Sequence, residues 1–249
     1  MRRFYEYDNW EMHWLRLQEG SSLNAVVKYR QAFILRCIQR LEYAPNCIMD
    51  IGSGTGDLIA YLISHNIGKE RIGVELSAEG VESAQRKAPN ALFLQEDMYA
   101  PSSFLRDYED RADLLICSEV IEHLDDPLAF LINLKRYMAP SGKILITVPG
   151  GPLYQFARMI GHRQHFTQET ITSLLKQAEF SVEKVYLAGF PFVNLYRLLC
   201  SLRGEKLYDD LEHISPLYRV GNTIFKYLFH CTWDHSPWGW QIVAVASHI

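Results

Sequence analysis

Four groups of side chains in this sequence have the chemistry to bind or react. The first is "DIGSGTGDL", Asp50 to Leu58, where Gly52, Gly54 and Gly56 alternate with Ser53 and Thr55 directly after the apolar run "CIM". Glycine costs about 0.5–1 kcal/mol relative to alanine inside regular structure, so three together mark a backbone that turns sharply or lets a ligand come close. A strand, such a turn and a helix form a general nucleotide-binding device, with the N–H groups of the helix start facing the ligand. The dinucleotide spacing Gly-x-Gly-x-x-Gly is not met, because Asp57 stands where its third glycine belongs. A carboxylate there faces a pyrophosphate badly, and Asp50 adds a second one, which suits a cationic or amino-bearing ligand. The second group is downstream: Glu75 near the end of "RIGVEL" can accept from both hydroxyls of a ribose, and Asp97 after "LFLQE" from an exocyclic amine such as adenine N6. The ligand read from these residues is an adenosine without a diphosphate.

The other two groups lie further on. "SEVIEHLDDP" holds Glu119, Glu122 and His123 at i, i+3 and i+4, which is one face of a helical turn, and "GHRQHFTQET" offers His162 and His165. Carboxylates and imidazoles of this kind can close a divalent-metal site, here Glu119, Glu122, His123 and His165, and a metal lowers the pKa of an acceptor hydroxyl. Without a metal, His165 is the candidate general base, with His123 the second candidate catalytic histidine, since an imidazole pKa of about 6.5 leaves the ring mostly neutral near pH 7. The competing role for His165 is to cap the helix "TQETITSLL", which Thr167 with Thr170 can do equally well.

These residues need a frame. Five apolar runs, "CIMDI", "RIGVEL", "ALFLQED", "DLLICS" and "KILITV", alternate with helical segments, the pattern of a parallel sheet covered on both faces. Ser77 is the expected N-cap of one connecting helix, and Asp126 followed by Pro127 begins another. A helix over 9–43, with Ala25, Tyr29, Phe33 and Cys37 at helical spacing, precedes the sheet. A mostly helical stretch, 190–234, precedes a last strand in "WQIVAVASHI", and its aromatic, apolar faces are expected to pack on the core or on a second subunit. At 249 residues with 48% hydrophobic content the chain fills a sizeable core. Its net charge of −4 and lack of a basic tract disfavour nucleic acid as a partner. Five scattered cysteines without a Cys-x-x-Cys pair point to a reducing, cytoplasmic setting. The N-terminus lacks the apolar stretch of a signal peptide, and no run reaches the ~18 apolar residues of a transmembrane segment.

"IMDIGSGTGDL", "VELSAEGVESA", "QEDM", "CSEVIEHLDDP" and "GKILITVPG" together resemble, in order and spacing, the motifs of class I S-adenosylmethionine (SAM)-dependent methyltransferases. The resemblance covers roughly residues 45–189 and the final strand. It implies an α/β, Rossmann-like, seven-stranded and mostly parallel sheet whose last strand is antiparallel. It also implies that Asp50 and the loop Gly52, Ser53, Gly54 and Gly56 lie at the methionine moiety, Glu75 and Leu76 at the ribose, Asp97 and Met98 at the adenine, and Ser118 near the sulfonium. In such enzymes the segment before the first strand folds over the cofactor, so Tyr7 or Trp14 can line the mouth and Arg30 can pair with the SAM carboxylate; packing and a solvated charge are the alternatives. The Glu-x-x-Glu-His turn with a later histidine is similar to that of ubiquinone-pathway O-methyltransferases and of bacterial small-RNA 2′-O-methyltransferases. Metal-free relatives use a similar turn to hold backbone and to start the next helix. The expected layout is an N-terminal helical cap (1–44), a SAM-binding core (45–189), a helical insertion forming an acceptor pocket or an oligomer surface (190–234), and a last core strand (235–249). The expected function is methyl transfer to a small-molecule acceptor, at a hydroxyl, by a protein that can form a homodimer. The alternatives are a metal-dependent RNA 2′-O-methyltransferase and a non-catalytic SAM-binding regulatory module.

Overall fold

A computed structural model describes residues 9–101 and 103–248. In chain order the elements are α1 (Trp10–Leu23), α2 (Ala25–Gln39), β1 (Cys47–Ile51), α3 (Asp57–Ser64), β2 (Glu70–Glu75), α4 (Ala78–Lys87) and β3 (Leu92–Gln95). There follow β4 (Ala112–Ser118), α5 (Pro127–Leu134), β5 (Met138–Pro149), α6 (Gln155–Met159), α7 (Gln168–Gln177) and β6 (Phe180–Ala188). Last come α8 (Phe192–Arg203), α9 (Glu205–His213), α10 (Pro216–Leu228) and β7 (Gln241–His248). The strands form one seven-stranded sheet in the order β3-β2-β1-β4-β5-β7-β6. β1 to β5 pair in parallel, and β7 runs antiparallel to both β5 and β6.

The sheet is buried on both faces because each parallel crossover lays a helix on it. Side chains alternate along β1: Met49 and Ile51 enter the layer beneath α5 and α7, while Ile48 joins the layer of α2 and α3. Asp50 shares the parity of Ile48 and so faces the α2 side. Phe33, Ile34 and Cys37 make α2 a full member of that layer. The helical stretch read over 9–43 is two helices, because Asn24 adopts an extended backbone and its side chain accepts from the Val26 N–H, ending α1 and starting α2. Ser77 and Asp126 cap α4 and α5 as their positions predict, and Thr167 with Thr170 forms a reciprocal capping box on α7. The insertion α8–α10 is tied to the N-terminal helices through buried Asn222, whose Oδ1 accepts from the Ala25 N–H at 2.7 Å. None of the described helices is long and apolar enough to cross a membrane.

Candidate active site

The site grows out of the C-terminal ends of β1, β2, β3 and β4, where helices begin and backbone N–H groups are free to face a ligand. After Ile51 the chain turns through Gly52, Gly54 and Gly56 at φ of 71°, 53° and 74°. A side chain on Gly52 would strike Val120, and one on Gly54 the Trp14 ring, so their bareness lets these two walls of the opening close on the turn. Gly56 serves packing instead, since a Cβ there would meet Ala84 and Phe93; its bareness lets α3 start close against α4 and β3. The Ser53 hydroxyl is buried against Gly73, pointing away from the opening. Asp57 binds Lys87 at 2.8 Å and accepts from the hydroxyls of Ser22 and Thr55, which fastens the turn to α1 and α4.

Above this turn lies a cavity of about 390 Å³, in the size range of small-molecule sites. Gly52, Glu75, Leu76, Asp97 and Met98 line it, as do Glu119 and His123. Its charged lining is dominated by acids, with Glu96, Asp125 and Asp126 joining Glu75, Asp97 and Glu119, whereas the lining cation Arg163 is paired with Asp125. Such a wall favours a cation over a phosphate. Glu75 accepts from the Gly54 and Ser77 N–H groups at 2.8 and 3.0 Å, but its burial is the larger effect and pushes its carboxyl above the ordinary range. Each oxygen keeps a lone pair for a further donor. Asp97 is exposed, with one oxygen accepting from the Tyr99 N–H.

One wall comes from α1. Trp10 and Trp14, one turn apart and therefore on one face, both line the cavity. Glu11 between them reaches the start of α4 and accepts from the Ala78 and Glu79 N–H groups at 2.6 and 3.0 Å and from the Ser77 hydroxyl. Those donors hold the Glu11 carboxyl below its ordinary range. Tyr7 lies outside the described residues.

The far side of the cavity is a cluster of charges and imidazoles. Glu119, at a left-handed φ of 57°, accepts at Oε1 from Gln241 and Thr147 at 3.0 and 3.1 Å, while Arg30 and Arg197 face Oε2 at 3.6 and 3.7 Å. Burial works to raise its carboxyl, but the two arginines and these donors outweigh burial and keep it below the ordinary range. Glu122 is fully buried with neither oxygen hydrogen-bonded, and burial, reinforced by the charge of Glu119, holds its carboxyl well above the ordinary range. Edge-to-face rings then run from Trp14 through His13, Trp10, His123 and His162 to His165, with centroids 4.7 to 5.3 Å apart. Burial, and then the neighbouring His123, lower His13 to about 4. Burial likewise lowers His162 and His165. The Gly151 carbonyl, 3.1 Å from His165 Nδ1, can only accept. The Nδ1 of His165 therefore carries the proton and its basic nitrogen is Nε2, which meets His162 Nδ1 at 3.1 Å.

Of the residues singled out from spacing, the structure gathers Gly52, Glu75, Leu76, Asp97 and Met98 at the cavity, but not all of the rest. Asp50 is 2% exposed on the α2 side of the sheet. Ser118 turns its hydroxyl to Thr147 at 2.9 Å, and Arg30 faces Glu119 rather than open space. The four metal ligands read from the sequence do not converge: Glu122, His123 and His162 have donor atoms within 4.8 Å of one another, while Glu119 is held by the arginines and His165 stands behind His162. Three donors of this type, one of them an orphaned buried carboxylate, fit a divalent transition ion. Spacing alone singles out none of Trp10, Arg197 and Gln241. The i, i+4 pairing of Trp10 with Trp14 is a readable signal, but nothing local marks the other two.

Comparison with known proteins agrees with this architecture. The family described as "Methyltransferase domain" matches residues 26–185. The chain is 29% identical over 104 residues to a trans-aconitate 2-methyltransferase of Azoarcus sp. (strain BH72), covering 41% of this chain and 38% of that protein. It is 26% identical over 177 residues to a ubiquinone biosynthesis O-methyltransferase of Azorhizobium caulinodans, covering 66% and 67%. The chain thus spans under half the length of the first relative and about two thirds of the second. The structure of Haemonchus contortus phosphoethanolamine N-methyltransferase 2 with S-adenosyl-L-methionine shares the fold, with a TM-score of 0.58 at 17% identity over 88% of this chain and 52% of that one.

Proposed function

The chain belongs to the methyltransferase-domain family of class I SAM-dependent methyltransferases, and on that premise we propose that it transfers the methyl group of SAM to a hydroxyl of a small acceptor. The observation that carries this reading is the acid-lined cavity above the glycine turn, which matches a ligand bearing a sulfonium and an ammonium but no phosphate. Bound SAM supplies a methyl group on a positively charged sulfur. Glu75 and Asp97 hold the ribose and the adenine amine, with Leu76 and Met98 as apolar walls, while Arg30 stays with Glu119. Trp10 and Trp14 exclude water. His162 Nδ1–H donates to His165 Nε2, so the neutral, half-buried His165 draws the hydroxyl proton through the His162 ring as the acceptor oxygen bonds to the methyl carbon and the carbon–sulfur bond breaks. The similarity to a ubiquinone biosynthesis O-methyltransferase over two thirds of both chains favours a hydroxyl acceptor.

His165→Ala is expected to keep SAM affinity and to lose turnover by about 10²-fold or more, measured as S-adenosylhomocysteine released in the presence of a host-cell small-molecule extract. Unchanged turnover refutes the base.

A metal-assisted variant of this reading is favoured by the buried, unpartnered carboxylate of Glu122 beside His123 and His162. Those three side chains would hold the ion, and a divalent ion there would lower the pKa of the acceptor hydroxyl. Elemental analysis of the purified protein is expected to find one ion per chain, lost in Glu122→Gln. Absence of an ion together with chelator-insensitive turnover ends the variant.

A further inference from the structure

The insertion carries a surface that neither the cavity nor the core uses. On α8, Leu195, Leu198, Leu199 and Leu202 follow i, i+3, i+4, i+7 spacing, and on α10, Leu217, Val220, Ile224 and Tyr227 follow i, i+3, i+7, i+10; all eight are exposed, Leu202 to 75% and Tyr227 to 67%. The opposite faces of the same helices bury Val193 and Tyr196 and, on α10, Tyr218. Both helices are therefore apolar on two sides, and only one side is covered. The stripes meet at a groove of about 360 Å³ lined by Leu199, Leu202, Leu217 and Phe225. Trp238, 61% exposed, extends the surface at the start of α8, where its carbonyl accepts from Asn194 at 2.6 Å.

The charges that α8 and α10 themselves carry have one sign. Neither α8 nor α10 contains an acidic residue; α10 exposes Arg219 and Lys226, and His230 follows. The acids of the insertion lie on α9, which packs against α1 through Leu207 and Leu211, apart from Asp234, which is paired with Arg36. Asp210, the acid at the groove, is neutralised by Arg203. A two-fold pairing of this face would bring Arg219 and Lys226 of one copy toward those of the other, with no acid on either helix to meet them. A bilayer with anionic headgroups satisfies both features, since it takes the leucines and the groove into its apolar boundary and pairs the cations at its surface. Exposed tryptophan and tyrosine suit that boundary.

We propose that the α8–α10 face docks on an anionic membrane surface, lying in the interface without crossing it. The test is co-sedimentation of the full chain with vesicles of phosphatidylcholine alone and with vesicles of phosphatidylcholine and phosphatidylglycerol in equal parts. Binding is expected on the anionic vesicles only, weakening as salt rises. Leu202→Glu with Ile224→Glu, and separately Arg219→Glu with Lys226→Glu, are each expected to weaken it at least about tenfold while melting temperature and SAM binding stay unchanged. The positions are exposed, so the fold tolerates the changes. No sedimentation, or equal sedimentation of the wild type and both variants, overturns the proposal. A concentration-dependent dimer abolished by Leu202→Glu with Ile224→Glu, without vesicle binding, assigns the face to a second copy instead.

Discussion

Asp50 combines two demands on one side chain. It stands at the end of a buried strand, 2% exposed, and burial, then the nearby charge of Glu75, raise its carboxyl to about 8 against the partial relief given by Arg30. An unfolded chain releases that proton near pH 4, whereas the fold holds it until about pH 8. Between those values the folded state binds more protons than the unfolded, so this carboxyl makes stability fall as pH rises through the window and level off above it. Asp50→Asn is expected to remove that slope, so that its melting temperature exceeds that of the wild type by more at pH 8 than at pH 5. Parallel melting curves across that range would contradict the assignment. Among single residues, Glu75, Asp97 and Glu119 are readable in the sequence because each ends a strand or follows one, a position that spacing reports. Arg197 and Gln241 are not, because they reach Glu119 from the insertion and the last strand, and separations of that length leave no local pattern.

Among the elements, α1 is the least expected part of the site. The helical spacing of Ala25, Tyr29, Phe33 and Cys37 reports α2 alone, the break between the two helices depends on one asparagine, and the place of α1 depends on Glu11 capping a different helix. That cap comes from charge-assisted bonds to two backbone N–H groups and a hydroxyl at the start of α4. Glu11→Gln keeps the shape and removes the charge, so α1 is expected to loosen and the Trp10–Trp14 wall with it. The predicted result is a several-fold weaker SAM affinity by calorimetry, with the far-ultraviolet circular dichroism of the fold unchanged. Affinity equal to that of the wild type would mean that the wall forms without the cap. The centres of β1 to β4 are legible as short runs of apolar side chains, whereas β5 starts five residues before "KILITV", at Met138, and the half-polar β6 has no such run.

For the whole molecule, the seven-stranded sheet and its antiparallel last strand follow from the resemblance to methyltransferases rather than from any periodicity, and the sheet bears them out. The division of labour is then physical. The glycine turn and the acids at the strand ends line an acid-rich cavity, α1 closes one side, and His123 stands on the other. The insertion braces α2 through Asn222 and presents an apolar, basic outer face. The activity proposed for this assembly is movement of a methyl group from SAM to a small hydroxylated acceptor. It is tested by transfer of tritiated methyl from SAM into a host-cell extract separated into protein, RNA, lipid and small-molecule fractions, with Asp97→Ala as the control because that side chain is exposed and its loss spares the core. Label is expected in a small-molecule or lipid acceptor as a methyl ether, reduced about tenfold or more by the control at subsaturating SAM, as follows when one charged hydrogen bond to the cofactor is lost. Label in RNA or protein would contradict the acceptor class, and no label in any fraction from protein that binds SAM would contradict catalysis.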